Sequence, residues 1–362
     1  MRVGIVLHDF ALGGTERIAV RLAGAWAKAG AEVTIFCGSG KGPIRAMVPP
    51  DVSVIEADPP IPRGFRSRKR LAAAAACHFR DHPADSLFIS GNFHWPLVAP
   101  LATLDPKPRI VAQISSALVK QDRGRLRQQY FAWRSRRRLA AADAIVALSE
   151  QTAAEARQML RRPVEVIRLP VLDDAPAPPL PFEDGPPLIV GAGRFVHQKD
   201  FLTLIEAFAR IGHSTAKLTI IGDGPDRPAV ARRIRELGLC SRVCLPGYQP
   251  DIRPWLDRSR LFALSSRHEG YGAVLVEALA AGRPVVSTDC TPATSELLGE
   301  PEIGITVPVA DPARLARALD DMLDRAAPDP AAVAARVAPW RIGPIADEYL
   351  ALFAARANIG NP

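Results

Sequence analysis

The sequence predicts two parallel, doubly wound α/β domains joined by a proline-rich linker. A length of 362 residues suits about two domains of roughly 150 residues each. Short apolar runs alternate with amphipathic stretches in both halves, which is typical of strand–helix repeats that build parallel sheets. Residues 169–187 contain seven prolines, which favour an extended spacer. We therefore expect domains over 1–168 and 188–338, a linker over 169–187 and a C-terminal segment over 339–362.

The elements follow from these periodicities. In the first half, strands are expected at 3–7, 32–37, 86–90, 109–113, 144–148 and 164–168, and helices at 16–29, 67–78 and 126–141. In the second half, strands are expected at 188–192, 217–221, 243–246, 261–264, 284–287 and 304–307. Helices are expected there at 201–211, 228–237, 252–258, 274–281 and 312–324, with a closing helix at 344–357.

Composition excludes several classes of protein. No apolar run approaches the roughly 18 residues that a membrane-spanning helix needs. The first nine residues lack a signal-peptide pattern, and the five cysteines are scattered without paired spacing. A disulfide framework and a zinc site are therefore not expected. We expect a cytoplasmic protein without a metal or a cofactor.

The net charge of +8 is unevenly spread along the chain. Residues 1–170 hold 26 Lys and Arg against 14 Asp and Glu, a net of +12, which leaves 20 against 24, a net of −4, for residues 171–362. Two runs dominate the first half: five cations in 63–70 (Arg63, Arg66, Arg68, Lys69, Arg70) and seven in 123–138 (Arg123, Arg125, Arg127, Arg134, Arg136, Arg137, Arg138). Such runs suit nucleic acid, an anionic membrane or a phosphorylated substrate, although a solvated face is the simpler reading.

Two glycine turns follow predicted strands. Gly13 and Gly14 lie between the first strand and the first helix, where backbone amides can approach an anion. Gly193 ends a Gly-x-Gly that resembles a dinucleotide fingerprint, but Val196 stands in place of the third glycine, so a nicotinamide cofactor is disfavoured. Arg194 and Lys199 follow at the carboxyl end of the strand, where two cations could neutralise a diphosphate.

Two glutamates mark the second domain. Glu269 lies in a glycine-containing turn after a strand, and Glu277 lies inside the helix that follows. Both carboxylates can face one crevice beside the free amides of a helix start. Carboxylates accept hydrogen bonds from adjacent hydroxyls while amides hold phosphate, so the pattern suits a sugar or ribose carrying phosphate.

Glu269 and Glu277 form the E-x7-E pattern, and the chain here resembles the retaining glycosyltransferases of family 4, which have the GT-B fold of two Rossmann-like domains facing a cleft. The segments 193–209, 218–227, 245–252 and 275–289 resemble the donor domain of that family in order. Residues 10–23 resemble its first glycine turn and helix, and 338–353 its final segment, which crosses back to the first domain.

The resemblance implies transfer of a sugar from a nucleotide-sugar donor, UDP-linked in preference to GDP-linked, to a glycan or lipid-linked acceptor in cell-envelope or polysaccharide synthesis. It assigns the diphosphate to Arg194 and Lys199, the ribose to Glu277, and the transferred sugar to Glu269 as a catalytic residue. Further donor contacts are expected from residues at or near the glycine turns: Gly13, Gly14, Gly193, Gly247, Tyr248, Gly270, Tyr271, Gly272, Ala273 and Val274. Because no Asp-x-Asp occurs, transfer without a metal ion is expected.

The sequence departs from the family at the histidine that many relatives carry in the first domain. The strand over 109–113 is not followed by one, and His94, in the neighbouring loop, is a candidate for that place as a catalytic residue. Two alternatives stay open: a GT-B-like epimerase or phosphorylase, and a nucleic-acid-binding protein that uses the basic first domain. Peripheral attachment to the inner face of the membrane through 63–70 and 123–138 is a further expectation.

Overall fold

The computed structural model describes residues 1–11, 13–116, 118, 124–291 and 293–355. The chain divides into two compact units. The first contains Met1–Asp173 and the segment that begins at Arg341, and the second is Asp174–Trp340. The boundary at 173/174 lies inside the proline-rich stretch.

The first unit is built on a parallel sheet that, in the described part of the chain, has seven strands in the order β3-β2-β1-β4-β5-β6-β7. The strands are β1 (Arg2–Leu7), β2 (Glu32–Cys37), β3 (Val52–Glu56), β4 (Ser86–Ile89), β5 (Arg109–Ile114), β6 (Ala144–Ala147) and β7 (Glu165–Val166). The helices between them are α1 (Gly14–Lys28), α2 (Ser67–Asp81), α3 (Val98–Leu101), α4 (Arg125–Leu139) and α5 (Glu150–Leu160). The central strands are buried on both faces, as a sheet covered by helices requires.

The second unit has a six-stranded parallel sheet among its described residues, in the order β10-β9-β8-β11-β12-β13. Its strands are β8 (Leu188–Ala192), β9 (Lys217–Ile221), β10 (Val243–Gly247), β11 (Leu261–Leu264), β12 (Val285–Thr288) and β13 (Gly304–Val307). Its helices are α6 (Phe201–Phe208), α7 (Arg227–Glu236), α8 (Arg253–Asp257), α9 (Ala273–Ala280), α10 (Thr294–Leu297), α11 (Pro312–Asp324) and α12 (Pro330–Ala335). Two parallel doubly wound sheets confirm the predicted fold class.

The closing helix α13 (Ile342–Ala354) belongs to the first unit. Its buried face packs on α1, where Trp26 Nε1 donates to the Ala346 carbonyl at 3.2 Å. Gln113 Nε2 donates to the Tyr349 hydroxyl at 2.9 Å, and both side chains are buried. These aromatic and polar contacts fix the segment that sequence periodicity could not place.

Three elements of the first unit are absent from the sequence prediction: β3, α5 and the four-residue helix α3. The edge strand β3 is largely exposed, so it lacks the continuous apolar run that marks the central strands. Helix α5 is capped by Ser149, whose hydroxyl accepts from the Thr152 amide at 3.3 Å. Only Met159 and Leu160 of its buried residues are large and apolar, and the others are Thr152, Ala153 and Ala156, so its hydrophobic signal is weak.

Each sheet has one point where the strand order reverses. In the first unit this point lies between β1 and β4, and in the second between β8 and β11. Ligands of open parallel sheets bind outside the carboxyl ends of strands at such points. Both positions are therefore candidate ligand sites. Within the described residues, no helix has the length and apolar character needed to cross a membrane.

Candidate functional site

The reversal point of the second sheet brings Lys199 and Glu269 together. Lys199 follows β8 and Glu269 follows β11, and Lys199 Nζ lies 2.5 Å from Glu269 Oε1. The same oxygen accepts a hydrogen bond from Ser266 Oγ at 2.6 Å. The side chains of Lys199 and Glu269 are only 19% and 10% exposed, so the ion pair is largely shielded from water at the carboxyl ends of the strands.

The backbone around the pair is cross-linked from both strands. The Arg267 amide donates to the Gln198 carbonyl at 2.8 Å, and Gln198 Nε2 donates to the His268 carbonyl at 2.8 Å. The Glu269 amide in turn donates to the Cys290 carbonyl, after β12, at 2.7 Å. Because loops after three neighbouring strands hold it, the carboxylate has a defined position before any ligand arrives.

Two glycines, Gly193 and Gly222, approach each other closely beside this site. Gly222, after β9, has φ +135°, and a Cβ built there would lie 1.9 Å from the Gly193 carbonyl oxygen. Only glycine fits this approach of two loops. Gly193 itself lies beside the Lys199 stem, so the turn after β8 and the lysine form one compact structure.

Helix α9 starts next to the pair. Its N-cap, Gly272, adopts φ +83°, and Ala273 and Val274 supply the first amides, which have no acceptors within a helix. Glu277 lies one turn further along α9 and is half-buried. Gly270 is half-buried in the turn, whereas Tyr271 is buried and its hydroxyl contacts Trp340 Nε1. The Tyr271 side chain thus anchors the turn, which leaves its backbone as the part that can contact a ligand.

Three further residues that are predicted to contact the nucleotide-sugar lie at strand ends of the second sheet. Arg194 is exposed after β8. Gly247 ends β10 with φ +84° and accepts from the Gly222 amide at 2.9 Å, which joins this strand end to the glycine contact. Tyr248 follows and is 60% exposed. These residues lie at or just after strand ends of the same parallel sheet that carries Lys199 and the start of α9.

The reversal point of the first sheet has a different character. Gly13 is the N-cap of α1, and a Cβ on Gly14 would meet no atom within 4 Å, so the turn has open space beside it. Arg63 donates to Asp9 at 2.6 Å and to Glu16 at 2.7 Å. Its hydrogen bonds to Asp9, and then to Glu16, raise the pKa of the Arg63 guanidinium. Arg63 is thus held by two carboxylates near the turn, and a membrane contact of the run 63–70 stays a prediction.

His94, the other catalytic candidate, is fully buried. Its Nδ1 lies 2.7 Å from the Ser90 carbonyl oxygen, so Nδ1 carries the proton and donates. Burial lowers the pKa of His94 to about 4, which keeps the ring neutral. The ring packs against Phe93 and would reach a substrate only if neighbouring side chains moved. A catalytic role for His94 stays a prediction.

The second basic run divides into structural and accessible arginines. Arg136 donates to the Met159 carbonyl at 2.7 Å and ties α4 to α5. Arg134 and Arg137 are exposed and Arg138 is half-buried, all on α4. Arg123 lies outside the described residues. The run is therefore not a uniform charged face.

Comparison with protein families agrees with the two-unit architecture. Residues 12–173 match the family described as Glycosyltransferase Family 4, and residues 186–325 match Glycosyl transferases group 1. The chain carries the two domains of glycosyltransferase enzymes. The family resemblance indicated by the motifs is confirmed at the level of these domains.

Curated relatives point to the same class of enzyme. A lipopolysaccharide core biosynthesis glycosyltransferase, LpsE of Rhizobium meliloti, is 37% identical over 137 residues, which are 38% of this chain and 39% of the relative. An N-acetylgalactosaminyltransferase of Campylobacter jejuni, named for a diphospho-undecaprenol acceptor, is 33% identical over 136 residues, or 38% of this chain and 37% of the relative. The chain thus matches about two fifths of the length of these relatives.

Solved structures of glycosyltransferases share the fold over almost the whole chain. The lipopolysaccharide galactosyltransferase WaaB superposes with a TM-score of 0.75 at 17% identity, covering 97% of this chain and 98% of that one. Anabaena HepE in complex with UDP and glucose gives a TM-score of 0.78 at 18% identity, covering 97% and 99%. The GT-B fold is therefore confirmed.

Three residues of the site went unnoticed in the sequence. Ser266 orients Glu269, Gln198 joins the two loops, and the Cys290 carbonyl accepts from the Glu269 amide. Burial, and then the Glu269 charge, raises the pKa of the Cys290 thiol to about 12, so it is not a nucleophile at neutral pH. Ser266 carried a usable signal, since a hydroxyl three residues before a glutamate can bond to it. The other two contacts depend on chain segments far apart in sequence.

Proposed function

We propose that the chain is a retaining glycosyltransferase that moves a sugar from a nucleotide-sugar donor to a glycan or lipid-linked acceptor in cell-envelope or polysaccharide synthesis. The observation that carries this proposal is the Lys199–Glu269 pair at the reversal point of the second sheet, beside the start of α9. It combines a cation, a carboxylate and unpaired helix amides at the position where open sheets bind nucleotides.

The proposed chemistry assigns each group a task. Lys199 has three N–H donors, and one suffices for Glu269, so it can also contact a diphosphate oxygen. Arg194 and the α9 amides add positive potential where charge develops on the departing nucleotide diphosphate. Glu269, whose Oε1 is held by Lys199 and Ser266, offers Oε2 to the transferred sugar, and Glu277 accepts from the ribose hydroxyls.

We propose that these fixed cations replace a metal ion. Assays in EDTA should retain full activity, because Lys199 and Arg194 supply the charge that a divalent ion would give. Loss of activity in EDTA with recovery on adding manganese would contradict this part of the proposal. Retention of configuration is tested separately with an α-linked donor. The anomeric proton coupling of the product distinguishes the anomers: we expect an α-linked product, and a β-linked product would reject retention.

The donor is proposed to be a UDP-sugar, with a GDP-sugar as the second choice. Support comes from the fold likeness to HepE, whose solved structures contain UDP, with glucose or as UDP-glucose. A thermal-shift panel of UDP-, GDP- and ADP-sugars tests this, since a ligand that binds only the folded state raises the melting temperature. We expect the largest shift from a UDP-sugar. No shift with any nucleotide-sugar would reject the donor site.

We propose that the protein binds its acceptor at a membrane surface. Phe65 and Leu126 are 89% and 80% exposed, and each lies among exposed cations: Arg66, Lys69 and Arg70, and Arg125 and Arg127. We call these residues the basic rim. Apolar side chains among cations are typical of peripheral attachment to anionic lipid. The printed names of the Rhizobium and Campylobacter relatives, which concern lipopolysaccharide and a polyprenol diphosphate, agree with such an acceptor.

A further inference from the structure

A cavity of about 310 Å³ lies in the first unit between α4 and the segment around Asn92–Leu97. Its lining includes Tyr130, Trp133, Arg134, Arg137 and Arg138 of α4, together with Trp95. We call it the α4 pocket. Its volume is in the range of small-ligand sites. None of these residues belongs to the donor site described above or to the basic rim.

Two aromatic rings form an open wall of the α4 pocket. Tyr130 and Trp133 lie one helical turn apart, with ring centroids 5.8 Å apart and planes 29° from parallel. They remain 57% and 49% exposed, which is costly for such large side chains unless something covers them. Trp95 is 1% exposed and its Nε1 donates to the Gln113 carbonyl at 3.0 Å, so this part of the lining is fixed.

The positive charge of the pocket is uncompensated. Within the described part of the chain, no carboxylate forms an ion pair with Arg134, Arg137 or Arg138, and α4 itself contains no acidic residue. The guanidinium of Arg137 lies 5.0 Å from the Trp133 ring centroid, and both residues line the pocket. Burial, followed by the charges of Arg134 and Arg68, lowers the pKa of Arg138. Cations gathered in this way are stabilised by a bound anion.

Flat rings beside cations suit a ligand that combines an apolar face with an anionic group. The apolar C–H face of a pyranose packs on an aromatic ring, and guanidinium groups make paired hydrogen bonds to phosphate or carboxylate. The α4 pocket is open to solvent along one side, and buried Trp95 and half-buried Arg138 form its base. A groove of about 310 Å³ has room for a single sugar ring beside these cations.

We propose that the α4 pocket binds an acidic sugar residue of the acceptor, one that carries a phosphate or carboxylate group. This inference rests on the proposed transferase function and names the acceptor class of that function. The sugar could reach the pocket on a lipid carrier or as part of a free glycan, since the recognition chemistry is the same.

Ligand-detected NMR with glucose 6-phosphate, glucuronate, glucose and inorganic phosphate tests the proposal. We expect saturable binding of the two acidic sugars at least five-fold tighter than that of glucose or phosphate. The double variant W133A/R137Q should weaken it at least five-fold. The matched control Arg80→Gln changes an exposed arginine of α2 that belongs to neither the pocket nor the basic rim, and it should leave binding unchanged.

Three outcomes would overturn the proposal. Equal binding of phosphate and acidic sugars would show an anion site without sugar recognition. Equal binding by the wild type and the double variant, each melting at the same temperature, would place the sugar elsewhere. A third outcome combines two observations: neither acidic sugar binds, and phosphatidylglycerol vesicles without sugar bind the wild type but not the double variant. That outcome would make this face a membrane surface. The donor thermal shift of the same wild-type preparation reports separately on the transferase function.

Discussion

The two sheets use the same topological position for different purposes. At the reversal point of the second sheet, Lys199 and Glu269 are paired but remain partly open to solvent. At that of the first sheet, Arg63 is bonded to Asp9 and Glu16, and His94 is fully buried. The cations that make the first half basic lie instead on α2 and α4. On the proposed function, the charged pair of the second unit would meet the nucleotide, whereas the first unit would meet its acceptor through cations of α2 and α4, away from the strand ends.

The largest expected effect concerns the second unit. Lys199→Ala should lower turnover by about 10²–10³-fold, because removing one donor to a developing oxyanion costs on the order of 3–4 kcal/mol. Steady-state rates measure this, with Lys217→Ala, an exposed lysine at the start of β9, as the control. Equal rates for the two variants would remove the distinction between the two reversal points.

The next prediction concerns the protonation of His94 in the first unit and its effect on stability. The folded-state pKa of His94 is lowered to about 4, while an unfolded histidine titrates near 6.5. Between these values the unfolded chain binds the extra proton, so the free energy of unfolding should fall as the pH falls from 6.5 towards 4, by up to about 3 kcal/mol. Urea unfolding at several pH values measures this slope.

The variant His94→Gln should reduce that pH slope, and His197→Gln, at an exposed position, should leave it intact. If the slope of His94→Gln matches the wild type, the ring is not held neutral in the folded protein. In that case the contrast between a neutral, buried histidine at the first reversal point and a charged pair at the second is wrong.

A smaller effect is expected at α9. Glu277→Gln keeps the shape but removes the charge that accepts from two ribose hydroxyls, so donor affinity should fall about ten-fold, or about 1.4 kcal/mol. Calorimetric titration with the best donor measures it. Glu302→Gln, an exposed position of the same unit, serves as the control. Unchanged affinity in Glu277→Gln would separate this residue from the donor site.

The smallest effect concerns the basic rim. Neutralising a single rim cation in Lys69→Gln should weaken binding to phosphatidylglycerol vesicles by about 1 kcal/mol, and added salt should weaken the binding of the wild type. Donor affinity should not change. A charge-matched control is Lys217→Gln, at an exposed lysine of the second unit. Vesicle binding that survives Lys69→Gln but not the control would move the membrane contact to the second unit.

Local pattern accounts for much of what the sequence predicted. The six strands of the second unit begin and end within about one residue of their expected positions, because buried parallel strands are continuous apolar runs. Edge strand β3 and the alanine-rich α5 lack that signal and were missed. In the candidate site, the glycines and glutamates stood out by their spacing, whereas Gln198 and Ser266 did not.

The sequence by itself determined the two doubly wound domains, the charge difference between the halves and the glycosyltransferase motifs, since these depend on residues close together in the chain. Only the tertiary structure decided which charges are paired. It joins Lys199 to Glu269 across 70 residues and Arg63 to Glu16 across 47, yet it leaves Arg137 without a carboxylate among the described residues. An ion pair depends on distance in space and on exclusion of water, and neither quantity is written in local periodicity.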